Sequence, residues 1–234
     1  LTIMKYSWKV DFFDSEIFEF KAAKIVELNS KDIKKLTSDL TKNEIHYATI
    51  RVQSNDFPLI HALESAGFIL VDVLISLSIN ISTLKSVATK EIRVAKKSDI
   101  PILKKLMINL YSNTRITNDP MTKMKANNYY IKWIENSVNG SAADSVLVWD
   151  EKGEILGYVS LQKKGQIPLI GVAESARGKG IAKELLNASS AQFKKWGVKN
   201  VSIDTQINNI PALRTYQSVG FKIVDSRGSV AQIS

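Results

Sequence analysis

Residues 174–186, "ESARGKGIAKELL", set two glycines and three positive charges in a turn that runs into an apolar helical pattern. With the strand-like run Ile167 to Ala173 ahead of it, this is a strand, a glycine-rich turn and a helix N-terminus in sequence. At such a junction several backbone N–H groups converge without internal partners, and the positive helix end adds to them, so a phosphate is favoured there. Gly178 and Gly180 bring the backbone close to a ligand, and Arg177 and Lys179 add charge. The alternative is a basic turn that only caps a helix. A Walker loop is absent, and the dinucleotide fingerprint fails at its last glycine.

A second group follows at the distance of one more strand and helix: Asn209, Ala212, Tyr216, Gly220 and Phe221. A tyrosine hydroxyl within reach of a departing thiolate gives it a proton and makes it a better leaving group. The alternative for Tyr216 is an aromatic core residue at helical spacing. The chain has no Cys, which excludes disulfides, zinc-thiolate clusters and a cysteine acyl-enzyme. Its two histidines, His46 and His61, cannot build a His-rich metal site, so no metal is expected. No G-x-S-x-G elbow is present, so direct attack of an amine on a thioester is the economical mechanism. Glu174 is one base for that amine, an ordered water another, and a solvated turn carboxylate explains Glu174 equally well.

The elements that position these residues read as an α/β sheet protein. A strand at Glu91 to Ala95 precedes a helix capped by Ser98, and a helix from about Thr122 carries Tyr129, Tyr130 and Trp133 before Gly140 stops it. Val146 to Trp149 and Ile155 to Leu161 form a hairpin. A helix from about Gly178 to Trp196 is stopped by Gly197, and a strand covers Val198 to Gln206. Asn209 caps a further helix that Gly220 ends, and Phe221 to Val224 and Val230 to Ile233 read as two strands. That last strand completes a sheet either within the chain or across a homodimer.

The chain also resembles itself. Residues 53–72, "QSNDFPLIHALESAGFILVD", lie without gaps on residues 206–225, "QINNIPALRTYQSVGFKIVD". Gln53, Asn55, Pro58, Ser65, Gly67, Phe68, Val71 and Asp72 meet identical residues at a constant offset of 153 (211 less 58). The first copy lacks the glycine turn and has Leu63 where the second has Tyr216. A duplication that kept its packing and lost its chemistry in the first copy explains this; chance likeness of two strand-helix-strand units is the alternative.

Arg177, Gly180 and Ala182, followed by Asn209, Tyr216 and Gly220-Phe221, resemble the GNAT superfamily of acetyl-CoA-dependent N-acetyltransferases over about residues 89–234. The resemblance implies a mixed, mostly antiparallel sheet flanked by helices in 89–234, and a smaller α/β domain in 1–88 resembling a partial GNAT unit. It implies acetyl-CoA as cosubstrate, with its pyrophosphate on the backbone of Arg177, Gly178, Lys179, Gly180, Ile181 and Ala182. Ile170, Gly171 and Val172 would bind the pantetheine arm, Gly171 easing a splayed or bulged edge. Asn209 would meet the cofactor's amide region, and Tyr216 would protonate the leaving thiolate.

"TRITNDP" (114–120), "YYIKWIENSVNG" (129–140), "GYVSL" (157–161) and the N-terminal "WKVDFFDSEIF" (8–18) resemble the branch of that superfamily acting on dTDP-linked 4-amino-4,6-dideoxyhexoses for surface polysaccharides. The likeness covers nearly the whole chain, with Ile116 where that branch tends to carry Phe. It implies that Arg115 contacts a nucleotide diphosphate and that Asp119 holds the amine or the sugar hydroxyls; both also read as loop-fixing residues. Tyr129, Tyr130 and Trp133 read as helix packing rather than a sugar platform.

The formal charge of +9 on 234 residues favours polyanionic partners. Coenzyme A and a nucleotide sugar satisfy it without nucleic acid or a membrane surface. Another amine (a protein N-terminus, a polyamine, an aminoglycoside) and a non-catalytic acyl-CoA-binding module are the competing readings. Phe68 to Ile79, the longest apolar stretch, is far short of the roughly 20 residues of a membrane span, and the N-terminal residues show no signal-peptide pattern, so the expected compartment is the cytoplasm.

Overall fold

The computed structural model describes residues 6–85 and 89–233. Along the chain run β1 (Tyr6–Val10), α1 (Phe12–Phe18), β2 (Ala22–Leu28), α2 (Ile33–Lys42), β3 (Tyr47–Gln53), α3 (Phe57–Ser65) and β4 (Ile69–Asn80). Then come β5 (Ile92–Val94), α4 (Ile100–Met107), α5 (Arg115–Asn118), α6 (Ala126–Val138), β6 (Ser145–Glu151), β7 (Glu154–Leu161), β8 (Gln166–Ile167) and β9 (Ile170–Val172). The last elements are α7 (Ile181–Lys195), β10 (Asn200–Gln206), α8 (Ile210–Val219) and β11 (Lys222–Ile233).

Two compact units share the chain. The first takes residues 6–74, 113–129 and 226–233; the second takes Ile75–Ser112 and Tyr130–Asp225. They are drawn by packing and not by contiguity, so they do not bear on the expected division at 88/89, whose boundary falls beside residues 86–88, outside the described residues.

In the first unit β1 and β2 are antiparallel, β2 and β3 are parallel, and β3 runs antiparallel to β11 from Gln53↔Arg227 to Tyr47↔Ile233. Its core holds Ile25, Leu36, Leu40, Ile50, Leu63, Phe68 and Val230. In the second unit β5, β6, β7 and β9 form an antiparallel sheet, while the later part of β4 lies beside β10 and β10 pairs with β8 in parallel. Leu77, Ile79, Leu161, Leu185, Phe193, Ile203 and Phe221 are part of its core.

The internal likeness has a structural counterpart. Shifted by 153, β3 and β4 land residue for residue on β10 and β11, and α3 lands on α8 to within one residue at its end. Asp56 caps α3 by accepting from the Leu59 N–H, and Asn209 caps α8 through Ala212, the same pair one offset along. The two final strands are exchanged: β11 of the second copy completes β3, and β4 of the first copy lies against β10. The cross-strand pair Arg51↔Ser229 recurs at the same offset as Asp204 and Ser76, whose side chains hydrogen-bond at 2.7 Å.

Three local expectations need correction. Ser98 does not cap α4: a 3-10 turn over Lys97–Asp99 precedes it, and the Asp99 carboxylate accepts from the Lys96 N–H. Residues 221–233 form one strand from Lys222, not two; the polar run Ser226-Arg227-Gly228 reads as a turn, yet its backbone is taken up by β3, with Arg227 opposite Gln53 and Gly228 opposite Val52. The run Ile167 to Ala173 is two strands in different sheets. Elsewhere, Gly197 stops α7 with φ of +72° and Gly220 stops α8 with φ of +110°.

In the second unit Arg93 on β5 binds Asp99 at 2.7 Å and Asp150 on β6 at 2.7 Å. Its hydrogen bonds hold both carboxyls below the usual range. A carboxyl with a depressed folded pKa contributes stability above its unfolded value of about 3.9, and that contribution vanishes as pH falls through the folded value. Arg93→Met is therefore expected to be less stable than the parent in urea at pH 7, with a smaller difference at a pH below the depressed values of both carboxyls. An equal difference at both pH values would refute the assignment.

Candidate active site

The site in the second unit begins where β8 and β9 part. β8 pairs with β10 through Gln166 and Ile167, whereas β9 pairs with β7 through Val159↔Ile170, Tyr158↔Gly171 and Gly157↔Val172. Pro168 stands between them and has no N–H to continue the ladder. The Leu169 carbonyl turns to the Ser160 N–H, and the Ala173 N–H to the Leu156 carbonyl. Antiparallel alternation then aims the backbone groups of Ile170 and Val172 away from β7, along the edge at the end of that sheet, where the Ile170 carbonyl already accepts from Tyr111 Oη at 3.0 Å. This edge has the donors and acceptors that an extended amide-bearing arm requires.

After β9, a 3-10 turn at Glu174–Ala176 leads into the glycine turn. Ala176 and Ile181 are buried and anchor it, while Arg177, Gly178, Lys179 and Gly180 are exposed. Gly178 has φ of +79° and Gly180 of +82°, and a Cβ on either would meet nothing within 4 Å. The glycines are thus required by conformation, and the space above them is open. The first intrahelical bond of α7 is Glu184 N–H to the Gly180 carbonyl, so the preceding N–H groups have no helical acceptor. On these grounds the backbone from Gly178 to Ala182 fits a pyrophosphate, whereas the Arg177 N–H already donates to the Glu174 carbonyl at 3.2 Å.

Gly171 is also a point of close packing. Its φ is not in the left-handed region. A Cβ there would fall 2.5 Å from Leu110 Cδ2 and 2.8 Å from Tyr158 Cε1. Gly157, on the neighbouring strand, is crowded by α7, with Ile181 Cγ2 2.9 Å and Leu185 Cδ1 3.2 Å from its notional Cβ. These glycines let other elements close onto the sheet.

Tyr216 lies on α8, 5% exposed, and its hydroxyl makes no hydrogen bond among the described residues. Burial pushes its pKa up, so the phenol keeps its proton at neutral pH. It is not alone. Tyr111 Oη lies 2.6 Å from Tyr158 Oη and donates to the Ile170 carbonyl at 3.0 Å, and both pKa values are raised, by burial first and in part by Tyr216. Sequence reading misses Tyr111 and Tyr158; the signal available was the register that sets a large residue, Tyr158, opposite a small one, Gly171.

The other expected residues are placed as follows. Glu174 is exposed on its 3-10 turn. Asn209 uses its carbonyl to cap α8 and its amide to donate to Thr205 Oγ1 at 3.1 Å. Arg115 and Asp119 belong to the first unit. Arg115 Nη2 donates to Asp14 at 2.8 Å and to Tyr129 Oη at 3.1 Å, but its buried Nη1 has no partner among the described residues. Asp119 is fully buried and accepts from Tyr47 Oη at 2.8 Å and from the Met121 N–H at 2.9 Å, contacts that fix its loop. Tyr129 stacks on Phe18, and Tyr130 stacks on Tyr111 and Trp133, which is the packing expected of that helix.

Residues 107–221 match the Acetyltransferase (GNAT) family. An N-alpha-acetyltransferase of Sulfurisphaera tokodaii is 31% identical over 134 residues, spanning 48% of this chain and 79% of that protein. The chain belongs to the GNAT family of acetyltransferases. A dTDP-fucosamine acetyltransferase of Escherichia coli O6:H1 is 27% identical over 164 residues, 69% of this chain and 70% of that protein. The fold matches a GCN5-related N-acetyltransferase of Sphaerobacter thermophilus with a TM-score of 0.67 at 13% identity, over 97% of this chain and 76% of that one. The protein is an acetyl-CoA-dependent N-acetyltransferase with the α/β GNAT fold, its mixed sheets flanked by helices.

Because Gly171 is a point of contact, Gly171→Ala is expected to destabilise the protein by about 1–3 kcal/mol. Denaturant unfolding checks this, and an unchanged midpoint would show that Leu110 and Tyr158 can move aside.

Proposed function

We propose that the chain transfers acetyl from acetyl-CoA to the amino group of a nucleotide-linked amino sugar of the dTDP-4-amino-4,6-dideoxyhexose type. In this reading it is a cytoplasmic enzyme of surface-polysaccharide synthesis. The observation that carries the substrate class is the likeness to dTDP-fucosamine acetyltransferase, which extends over 69% of the chain. The Nη1 of Arg115, unpartnered among the described residues, supports it, because a buried guanidinium N–H without an acceptor favours an anionic or carbonyl oxygen.

Acetyl-CoA lies with its pyrophosphate on residues 178–182 and its amide arm on the edge of Ile170 to Val172. The amine nitrogen attacks the thioester carbonyl and the carbon–sulfur bond breaks. The Tyr216 hydroxyl proton passes to the departing thiolate, and the proton lost by the amine passes to Glu174 or to an ordered water. The raised pKa of Tyr216 suits an acid that must hold its proton until the sulfur leaves. Leu63 occupies the matching place in the first copy, where no hydroxyl is available.

The likeness to an N-alpha-acetyltransferase, over 48% of the chain, favours a peptide amine as the second acceptor class. Thiol release from acetyl-CoA, measured with dTDP-4-amino-4,6-dideoxyhexoses, a polyamine and a peptide amine, separates them. Turnover with the sugar nucleotides alone is expected; turnover only with the peptide would overturn the sugar assignment. Tyr216→Phe is expected to lower kcat by about 10²–10⁴ with the KM for acetyl-CoA near that of the parent. Unchanged turnover would remove Tyr216 from the mechanism.

A further inference from the structure

The residues crowding Gly171 point to how the donor is selected. Leu110 and Tyr111 follow α4 and reach the sheet at Gly171 and Ile170. Both are partly exposed, whereas Tyr158 and Met107 behind them are buried. Tyr111 is held on three sides: by the Ile170 carbonyl at 3.0 Å, by Tyr158 Oη at 2.6 Å and by the ring of Tyr130, whose centroid is 4.5 Å away. Tyr158 Oη in turn lies 3.0 Å from Met107 Sδ. Leu110 fills the space over Gly171 so closely that a single methyl group on that residue has no room.

We propose that Leu110 and Tyr111, braced by Tyr158 and Met107, wall off the acyl end of the donor groove and restrict the enzyme to a two-carbon acyl group. The inference rests on the reading that the thioester lies along the Ile170 to Val172 edge beside Tyr216. A longer acyl chain must displace a residue tied by two hydroxyl contacts and a ring stack, or a leucine already in contact with the strand. Close-packed walls of this kind discriminate a methylene by about 10- to 200-fold. Loose walls do not, and the bonds at Tyr111 prevent this one from swinging aside.

The test needs no amine acceptor. Binding of acetyl-CoA, propionyl-CoA and butyryl-CoA to the full chain is measured by calorimetry for the parent, Leu110→Ala, Tyr111→Ala and Tyr111→Phe, with circular dichroism to verify folding. The parent is expected to prefer acetyl-CoA over butyryl-CoA by about tenfold or more. Each alanine variant is expected to reduce that preference by about tenfold, and Tyr111→Phe, which keeps the ring but loses both hydroxyl contacts, to reduce it by a smaller factor. The parent binding butyryl-CoA as tightly as acetyl-CoA would overturn the proposal, as would two folded alanine variants with the parental preference. If one alanine variant does not fold, the other and the parent still decide. Binding of no acyl-CoA at all would instead overturn the donor-site reading and this inference with it, whereas failure of the sugar nucleotides as acceptors leaves the binding result intact.

Discussion

At Pro168 the chain has no amide hydrogen to offer a neighbouring strand, and the outer edge of β9 depends on that gap. Up to Ile167 the segment belongs with β10; from Ile170 it belongs with β7. Had the pairing with β10 continued, the backbone groups of Ile170 and Val172 would be used up within a sheet and no edge would remain for a ligand's amides. The same parting sets the direction in which the chain leaves β9, and the glycine turn and α7 follow from there. The two small residues at this point, Gly157 and Gly171, then let α7 and the segment after α4 close onto the sheet from their respective contacts. The outer edge of β9 and the direction in which the chain enters the glycine turn therefore both follow from one interruption in a ladder.

Much of this was legible in the residues themselves. The glycine turn, the Asn209 cap, the Gly197 and Gly220 stops and the hairpin at 145–161 are written in local chemistry, because each depends on one or two residue types at one spacing. What local chemistry does not carry is pairing between distant segments. Ser226-Arg227-Gly228 looks like a turn by composition, and only the presence of β3 keeps it extended. Likewise Ser98 looks like the cap of α4, but it lies inside a 3-10 turn that the Asp99 carboxylate ties back to the Lys96 N–H and to Arg93. Tyr111 and Tyr158 escaped notice for a related reason: 47 residues separate them, and each alone reads as an ordinary aromatic of a helix end or a strand.

The role of each candidate residue also follows from what its environment leaves free. Tyr216 has a hydroxyl with no partner among the described residues, and burial raises its pKa, so the proton stays on the phenol at neutral pH and is not committed to another acceptor. Asp119 has both oxygens engaged and is sealed from solvent, so in this conformation it acts on its own loop. Arg115 lies between these cases. Asp14 and Tyr129 hold one end of its guanidinium, and burial lifts the Asp14 carboxyl even with that cation beside it. Arg115 Nη1, unpartnered among the described residues, is the part of the cluster still able to take a ligand.

The exchanged final strands have a consequence for how the protein is made. β3 emerges from the ribosome early, yet its antiparallel neighbour is residues 227–233. The first unit is thus left with an open edge while the whole of the second unit is synthesised, and pairing across such a sequence separation is intrinsically slow. An unpaired edge rich in Ile, Val and Tyr is a template for association with other nascent chains. The architecture that gives each copy the other's last strand leaves the edge of β3 uncovered until residues 227–233 have been synthesised.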